Sequence, residues 1–222
     1  MPKRKLERFA ELGLLDRVYQ PKGLFLDHDH ELKGRWNKEV FRNNYPIIIE
    51  LGCGRGEYTV NMARRYPNCN FVGIDIKGAR LWRGAKTANE EQLINAAFLR
   101  YQIEQLTAFF APGEVSEIWI TFPDPQPQKT RENRRMTSHR FLKMYRELVG
   151  TTGKVHLKTD NRILYEYTLE KLNEDKVRIH HATDNLYAVQ LNETVLEIKT
   201  TYEKKFLDLG MDICYISFSF EE

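Results

Sequence analysis

An apolar run gives way to alternating glycines at residues 46–56, which read Pro46-Ile47-Ile48-Ile49-Glu50-Leu51-Gly52-Cys53-Gly54-Arg55-Gly56. This pattern predicts a buried strand, a tight loop and then a helix, because glycine adopts dihedral angles that a side chain forbids and lets a ligand approach the backbone. A second apolar run, residues 70–74, ends at Asp75. That carboxylate follows the loop by about twenty residues, where the second strand of a βαβ unit presents an acid to a ribose. The sequence therefore predicts a site for a nucleoside-type cofactor.

The glycine spacing bears on which cofactor binds. A dinucleotide fingerprint has glycine at the first, third and sixth positions, but the sixth position counted from Gly52 is Glu57. Glu57 would bring negative charge to the helix N-terminus at which a pyrophosphate binds. With Glu50 also at the strand end, the site favours a cationic sulfonium over NAD and resembles the S-adenosylmethionine site of Rossmann-like methyltransferases. A dinucleotide oxidoreductase and a plain strand-to-helix turn are the alternatives.

Length and composition indicate an ordinary globular protein. The chain has 222 residues, a hydrophobic content of 41% and a net charge of +3. Its apolar runs are shorter than the roughly eighteen residues of a membrane span, and its three cysteines lack the spacing of a zinc site. We expect one domain over residues 1–222, with a basic, irregular extension at 1–44 and the core at 45–222. We also expect a cytoplasmic protein, monomeric or homodimeric, with neither a membrane nor a metal partner.

Strands and helices alternate after residue 44. This predicts an α/β, Rossmann-like fold with a mostly parallel sheet, helices on both faces and an antiparallel C-terminal strand. We expect strands near 46–51, 70–75, 97–102, 115–122, 153–159, 176–183 and 213–220, and helices over about 57–66, 77–94, 138–149, 161–173 and 200–209. Ligands of such sheets bind at the carboxyl ends of the strands. Those ends carry Glu50, Asp75, Gln102, Asp124 and Asp160, although a helix cap is the alternative role for Asp160.

A second motif, Phe122-Pro123-Asp124-Pro125-Gln126-Pro127, follows one of these strands. Its prolines cannot extend a strand, so the motif predicts a rigid loop that positions the carboxylate of Asp124. Four cations come next, at Lys129, Arg131, Arg134 and Arg135. They predict a grip on the phosphates of a nucleic acid, with a solvated helix start as the alternative.

Three motifs together resemble bacterial tRNA (guanine-N7)-methyltransferases over about residues 45–222. They are Phe-Pro-Asp-Pro with the basic residues after it, Lys158-Thr159-Asp160-Asn161, and the stretch 200–206, Thr-Thr-Tyr-Glu-Lys-Lys-Phe. The resemblance implies S-adenosylmethionine as cofactor and tRNA as partner, with Asp124 as the catalytic residue. The predicted cofactor site is Glu50, Gly52, Gly54, Gly56, Asp75, Gln102 and Asp124. The predicted substrate site is Gln128, Lys129, Arg131, Arg134, Arg135, Asp160, Thr200, Thr201, Tyr202 and Glu203.

Three glutamines depart from the family pattern. Gln126 and Gln128 stand where tryptophan and lysine are common, and Gln102 replaces an acid of the cofactor site. The resemblance implies methyl transfer to guanine N7, in the variable loop of tRNA. Two alternatives remain open at this point: a methyltransferase for a small molecule or protein, and an RNA-binding module without activity.

Overall fold

The computed structural model describes residues 3–23, 26–191 and 198–221. The chain divides into two compact units, Met1–Ala111 and Pro112–Glu222, called unit 1 and unit 2 below. The expectation of a single domain over residues 1–222 stays a prediction.

The sheet of unit 1 consists of parallel strands. Their spatial order is β1-β4-β3-β2, and their bounds are β1 Val18–Tyr19, β2 Ile47–Leu51, β3 Asn70–Ile74 and β4 Ala96–Leu99. Every residue of β2, β3 and β4 is buried, as in parallel strands covered on both faces. Leu51 pairs with Ile74, and Ile74 pairs with Leu99. The carboxyl ends of these strands therefore lie side by side. Strands β2 and β3 end within one residue of the prediction, whereas β4 ends at Leu99, three residues before the predicted end at 102.

The helices of unit 1 are α1 Lys3–Leu12, α2 Glu57–Arg65 and α3 Gly78–Glu90, together with a π-helix at Trp36–Phe41 and a 3-10 helix at Ile103–Ala108. Helix α3 ends four residues earlier than predicted. The cause is local: Gln92 adopts a φ of 54°, and Leu93 N donates to Ala88 O at 2.9 Å. This is the kind of left-handed closure that ends many helices.

The expectation of an irregular extension at residues 1–44 is wrong for its described part, residues 3–23 and 26–44. Trp36 is fully buried; its Nε1 donates to Phe109 O at 2.8 Å, and its ring stacks on Phe110. Glu11 of α1 accepts hydrogen bonds from Trp82 Nε1 and Lys86 Nζ of α3. The segment is thus part of the hydrophobic core of unit 1.

Unit 2 contains a mixed sheet in the order β5-β6-β8-β7. The bounds are β5 Glu117–Thr121, β6 Lys154–Thr159, β7 Arg178–Thr183 and β8 Cys214–Ser219. Strand β6 runs parallel to β5, whereas β8 runs antiparallel to both β6 and β7. The antiparallel C-terminal strand is therefore confirmed. The helices are α4 His139–Val149, α5 Arg162–Glu174 and α6 Thr201–Asp208, with 3-10 turns at Lys129–Arg134 and Leu186–Ala188.

The part of the chain that the structure describes contains neither a membrane-spanning helix nor a cluster of metal ligands. No helix there combines the length and the apolar character needed to cross a bilayer. No group of three or more histidine, cysteine and acidic side chains there has the arrangement of a metal site.

Candidate active site

The glycine loop lies between β2 and α2 in unit 1. Gly52, Gly54 and Gly56 have φ angles of 69°, 57° and 67°, a region that side chains rarely adopt. A Cβ on Gly56 would stand 2.7 Å from Phe98 Cε1, whereas one on Gly54 would meet nothing closer than Gly52 O at 3.9 Å. Gly56 is therefore needed for packing, and the backbone at Gly54 is open to close approach.

Glu50, the fourth residue of β2, fixes the start of α2. Its carboxylate is buried, and Oε2 accepts from Thr59 N at 2.9 Å and from Thr59 Oγ1 at 2.5 Å. The residue before the helix is Gly56, which has no side chain to cap the first turn. Glu50 supplies that acceptor from the neighbouring strand and places negative charge at the helix N-terminus, where it is favourable.

Asp75 follows β3 and fixes the glycine loop from the other side. Its Oδ2 accepts from Gly54 N at 2.9 Å, and its Oδ1 accepts from Lys77 N at 2.7 Å. A carboxylate oxygen has two acceptor positions, so these bonds leave capacity for a hydroxyl of a ribose. Asp75 thus organises the loop and still suits the predicted cofactor role.

A cavity of about 470 Å³ adjoins the carboxyl ends of β3 and β4. Its wall includes Gln102, the predicted cofactor residue, and Ile76, an exposed apolar side chain. The other residues of the wall are Gln20, Pro21, Lys22, Gly23, Arg100 and Tyr101. A cavity of this size, with apolar surface and an amide that both donates and accepts, suits an adenine base. Residues 20–23 were missed by the sequence reasoning because they belong to the segment expected to be irregular.

The loop of Asp124 follows β5 in unit 2. Phe122 and Gln126 have positive φ angles, 49° and 45°, which non-glycine residues adopt at an energetic cost that clusters at functional sites. Asp124 is exposed, and its Oδ1 accepts from Gln126 N at 3.1 Å. Its second oxygen makes no hydrogen bond within the described residues. The loop therefore presents a positioned carboxylate with free acceptor capacity.

The basic residues after this loop divide into two kinds. The side chains of Lys129, Arg131 and Arg134 are exposed, as is that of Gln128. Arg135 is buried instead; its guanidinium lies 4.2 Å from the ring centre of Tyr167, and its Nε donates to Gln126 O at 3.3 Å. Arg135 thus stabilises the Asp124 loop through its hydrogen bond to Gln126 O. Its contact with substrate stays a prediction.

The remaining predicted substrate residues lie at the N-termini of α5 and α6. Asn161, not Asp160, caps α5, since its Oδ1 accepts from Leu164 N at 2.8 Å. The helix-cap alternative for Asp160 is therefore wrong, and its carboxylate makes no hydrogen bond among the described residues. Thr200 caps α6 by accepting from Glu203 N at 3.2 Å. Thr201 and Tyr202 are exposed on the first turn of α6.

Glu203 lies in a buried polar cluster. Its Oε1 lies 2.6 Å from Lys158 Nζ of β6 and accepts from Tyr187 Oη, also at 2.6 Å. Burial lowers the pKa of Lys158, and the nearby Glu203 carboxylate opposes that shift. Burial and the same carboxylate raise the pKa of Tyr187. The sequence analysis quoted Lys158 as part of a family motif but gave it no role, and it did not single out Tyr187; the available signal was a lysine inside a predicted strand.

Comparison with known protein families gives one model match. The family described as "Putative methyltransferase" matches residues 44–216. The tRNA (guanine-N(7)-)-methyltransferase of Christiangramia forsetii is 48% identical, covering 97% of both chains. The enzyme of the same name from Bacillus subtilis is 36% identical, covering 82% of this chain and 84% of its own.

Solved structures with the same fold are more distant in sequence. The 16S rRNA methyltransferase KamB superposes with a TM-score of 0.65 at 14% identity, covering 93% of this chain and 99% of its own. A 16S rRNA (adenine(1408)-N(1))-methyltransferase from Catenulisporales acidiphilia, solved with the cosubstrate SAM (S-adenosylmethionine), has a TM-score of 0.56 at 12% identity and covers 85% and 91%. These likenesses confirm the predicted α/β, Rossmann-like fold.

Proposed function

Because this chain belongs to the tRNA (guanine-N(7)-)-methyltransferase family, as its motifs indicated, we propose that it methylates N7 of a guanosine in the variable loop of tRNA. The methyl donor is S-adenosylmethionine. The observation that carries this proposal is the near full-length similarity to relatives of that name, 48% identity over 97% of both chains in one case. We further propose that the enzyme works in the cytoplasm, as a monomer or homodimer.

Residues of unit 1 suit this donor, which supplies an electrophilic methyl group on a sulfonium. Gly52 and Gly54 offer backbone without a Cβ, and Asp75 has acceptor positions for the ribose hydroxyls. Gln102 lies in the wall of a cavity large enough for the adenine. Glu50 adds a second negative charge that favours the cationic amino-acid part. Gly56 acts indirectly, because it allows α2 to begin against Phe98.

Asp124 is the residue that we assign to catalysis. Guanine N7 carries an in-plane lone pair and no proton, so the reaction needs no general base. Positioning and electrostatic support then provide most of the rate acceleration. Alkylation of N7 leaves positive charge on the purine, and the Asp124 carboxylate, which has one oxygen without a hydrogen bond among the described residues, stabilises that charge.

The remaining acids and bases of unit 2 suit recognition of the substrate. Asp160 and Glu203 are acceptors, and guanine offers the N1–H and the amino group as donors. The exposed residues of the basic stretch, Gln128, Lys129, Arg131 and Arg134, suit contacts with phosphate. Arg135 supports them through the loop, and Thr200, Thr201 and Tyr202 complete the base site. The target base leaves its stack to be reached, as in other enzymes that act on bases.

The test is methyl transfer from labelled S-adenosylmethionine to unmodified tRNA, followed by nuclease digestion and nucleoside analysis. The expected product is 7-methylguanosine, and borohydride–aniline cleavage should map it to the variable loop. Label in another nucleoside would refute the N7 assignment. Label in a protein or small molecule, with none in tRNA, would favour a methyltransferase for that other substrate. Binding of tRNA without methyl transfer would favour an RNA-binding module without activity.

A further inference from the structure

A buried ion pair connects β6 to α6. The Nζ of Lys158 and the Oε1 of Glu203 are 2.6 Å apart, and neither side chain has any exposed surface. The hydroxyl of Tyr187 donates to the same Oε1, also at 2.6 Å. Of these three side chains only Tyr187 reaches the surface, with an exposed fraction of 38%.

The second oxygen of Glu203 is the unusual atom. Oε2 is buried and has no hydrogen-bond partner within residues 3–23, 26–191 and 198–221. Buried carboxylate oxygens are nearly always paired, because water that would solvate them has been removed. Both donors of the cluster bind Oε1, so Oε2 is left as an acceptor without a donor. An N–H or O–H donor is what this oxygen lacks among the described residues.

Stability alone does not account for the cluster. Replacing a buried ion pair by apolar residues is often neutral or stabilising, whereas removing one partner is costly. The nearby contacts fix the chain just before and at the start of α6. Lys158 Nζ lies 3.4 Å from Ile198 O, and Thr200 caps the helix that carries Glu203. The cluster therefore restrains the direction of one carboxylate.

We propose that Lys158 and Tyr187 are positioning residues that hold Glu203 through Oε1, so that Oε2 is kept for an N–H donor of the target guanine. This inference rests on the function proposed above. Tyr187 is the member of the cluster that reaches the surface, so the base approaches Glu203 beside the Tyr187 ring. Lys158 fixes the other side of the carboxylate, since its Nζ lies 2.6 Å from Oε1.

The decisive variant is Tyr187→Phe, which deletes one hydroxyl and keeps the ring. We expect the KM for tRNA to rise about 10-fold, the effect of losing one hydrogen bond to a charged group, with kcat changed by less than about threefold. The matched control is Tyr145→Phe, which deletes another hydroxyl of unit 2, one that donates to Met136 O. The control should leave the KM for tRNA unchanged.

A double-mutant cycle of Tyr187→Phe and Glu203→Gln distinguishes a residue that positions Glu203 from one that only stabilises the fold. If Tyr187 acts through Glu203, adding Tyr187→Phe to Glu203→Gln should leave the KM of the single variant Glu203→Gln unchanged within about twofold. Lys158→Met should raise the KM as much as Glu203→Gln does. If Lys158→Met does not fold, the cycle with Tyr187 decides alone.

Two outcomes would overturn the inference while leaving the proposed function intact. They are a wild-type KM in Tyr187→Phe, and a 10-fold effect of Tyr187→Phe that persists in the Glu203→Gln background. Absence of 7-methylguanosine from the wild-type reaction run in parallel would instead refute the proposed function.

Discussion

The carboxylates of unit 1 and unit 2 stand at similar places in the chain, after strands or at helix starts, but they are used differently. Glu50 and Asp75 in unit 1 accept hydrogen bonds from the glycine loop and from the helix and turn next to it. In unit 2, Asp124 has one oxygen without a bond, Asp160 has no bond and Glu203 has a buried oxygen without a donor, all within the described residues.

This difference indicates two kinds of ligand site. A carboxylate that is bonded to its own loop gives the loop a fixed shape before any ligand arrives, which lowers the entropy cost of binding. A carboxylate oxygen without a donor keeps its acceptor capacity for the ligand, and at the exposed Asp124 such an oxygen contributes little to stability. Substitutions in the glycine loop of unit 1 should therefore reduce stability, and substitution of Asp124, the exposed acid of unit 2, should reduce activity.

The largest effect is expected for Asp124→Asn. Loss of the charge that stabilises the methylated purine should reduce kcat at least about 100-fold. The affinity for S-adenosylmethionine, measured by calorimetry, should stay within about threefold, and the free energy of unfolding within about 0.5 kcal/mol. Asp208→Asn, at an exposed site on α6, is the control and should behave as wild type. A kcat near the wild-type value in Asp124→Asn would contradict the catalytic assignment.

Gly56→Ala should show the largest loss of stability. The added Cβ would lie 2.7 Å from Phe98 Cε1 and 3.0 Å from Gly84 Cα, at a φ of 67°. We expect the free energy of unfolding to fall by about 2–4 kcal/mol, from strain and overpacking together. Gly210→Ala is the matched control, since Gly210 has a φ of 72° but open space around it.

In the control, Gly210→Ala, the free energy of unfolding should fall by about 1 kcal/mol, because only the strain of a side chain at positive φ is added. Urea titrations of the two variants measure the difference. Equal losses would mean that packing does not require glycine at position 56, and the view of unit 1 as a pre-shaped loop would lose its main support.

Thr59→Val tests whether Glu50 is held by the helix. The substitution keeps the shape of the side chain but removes the hydroxyl that donates to Glu50 Oε2 at 2.5 Å. We expect a loss of about 1–2 kcal/mol in the free energy of unfolding and a weaker affinity for S-adenosylmethionine. Thr87→Val removes a hydroxyl that donates to its own helix, at Arg83 O, and should cost less than about 0.5 kcal/mol. Unchanged cofactor affinity in Thr59→Val would limit Glu50 to a structural role.

Several parts of the fold and the site could be predicted because their signals are local. The strand before Gly52, the strand before Asp75 and the proline-rich loop of Asp124 each depend on a short stretch of sequence. Strand ends follow from such stretches, since a parallel sheet brings them to one edge. The same locality explains why the motifs of the family were recognised in order along the chain.

The rest depends on contacts between residues far apart in sequence. Trp36 is buried by Phe109 and Phe110, which no local pattern of residues 1–44 reveals. In the sequence Arg135 cannot be distinguished from its basic neighbours, because its contact with the ring of Tyr167 forms only in the folded protein. Burial and the proximity of Glu132 raise the pKa of Tyr167 to about 12. Lys158, Tyr187 and Glu203 meet only in the folded unit.

The smallest effect concerns two acids of unit 2 that bind a surface histidine. His139 contacts Asp175 and Glu174 on the surface, and these hydrogen bonds, that to Asp175 most of all, raise the pKa of His139 above 6.5. A raised pKa means that the folded state binds the proton more tightly. The stabilisation is therefore complete below pH 6.5 and disappears as the pH rises through the folded-state value.

His139→Gln should remove this contribution. Because the imidazole is half exposed, we expect less than about 1 kcal/mol. Thermal unfolding of both proteins below pH 6.5 and near pH 9 measures it: the variant should be the less stable one only at the lower pH, and kcat should be unchanged at both. A difference that grows toward pH 9 would have the wrong sign for a raised pKa. A loss of kcat would show that an engaged carboxylate also serves the reaction, which would erase the distinction between engaged and free acids in unit 2.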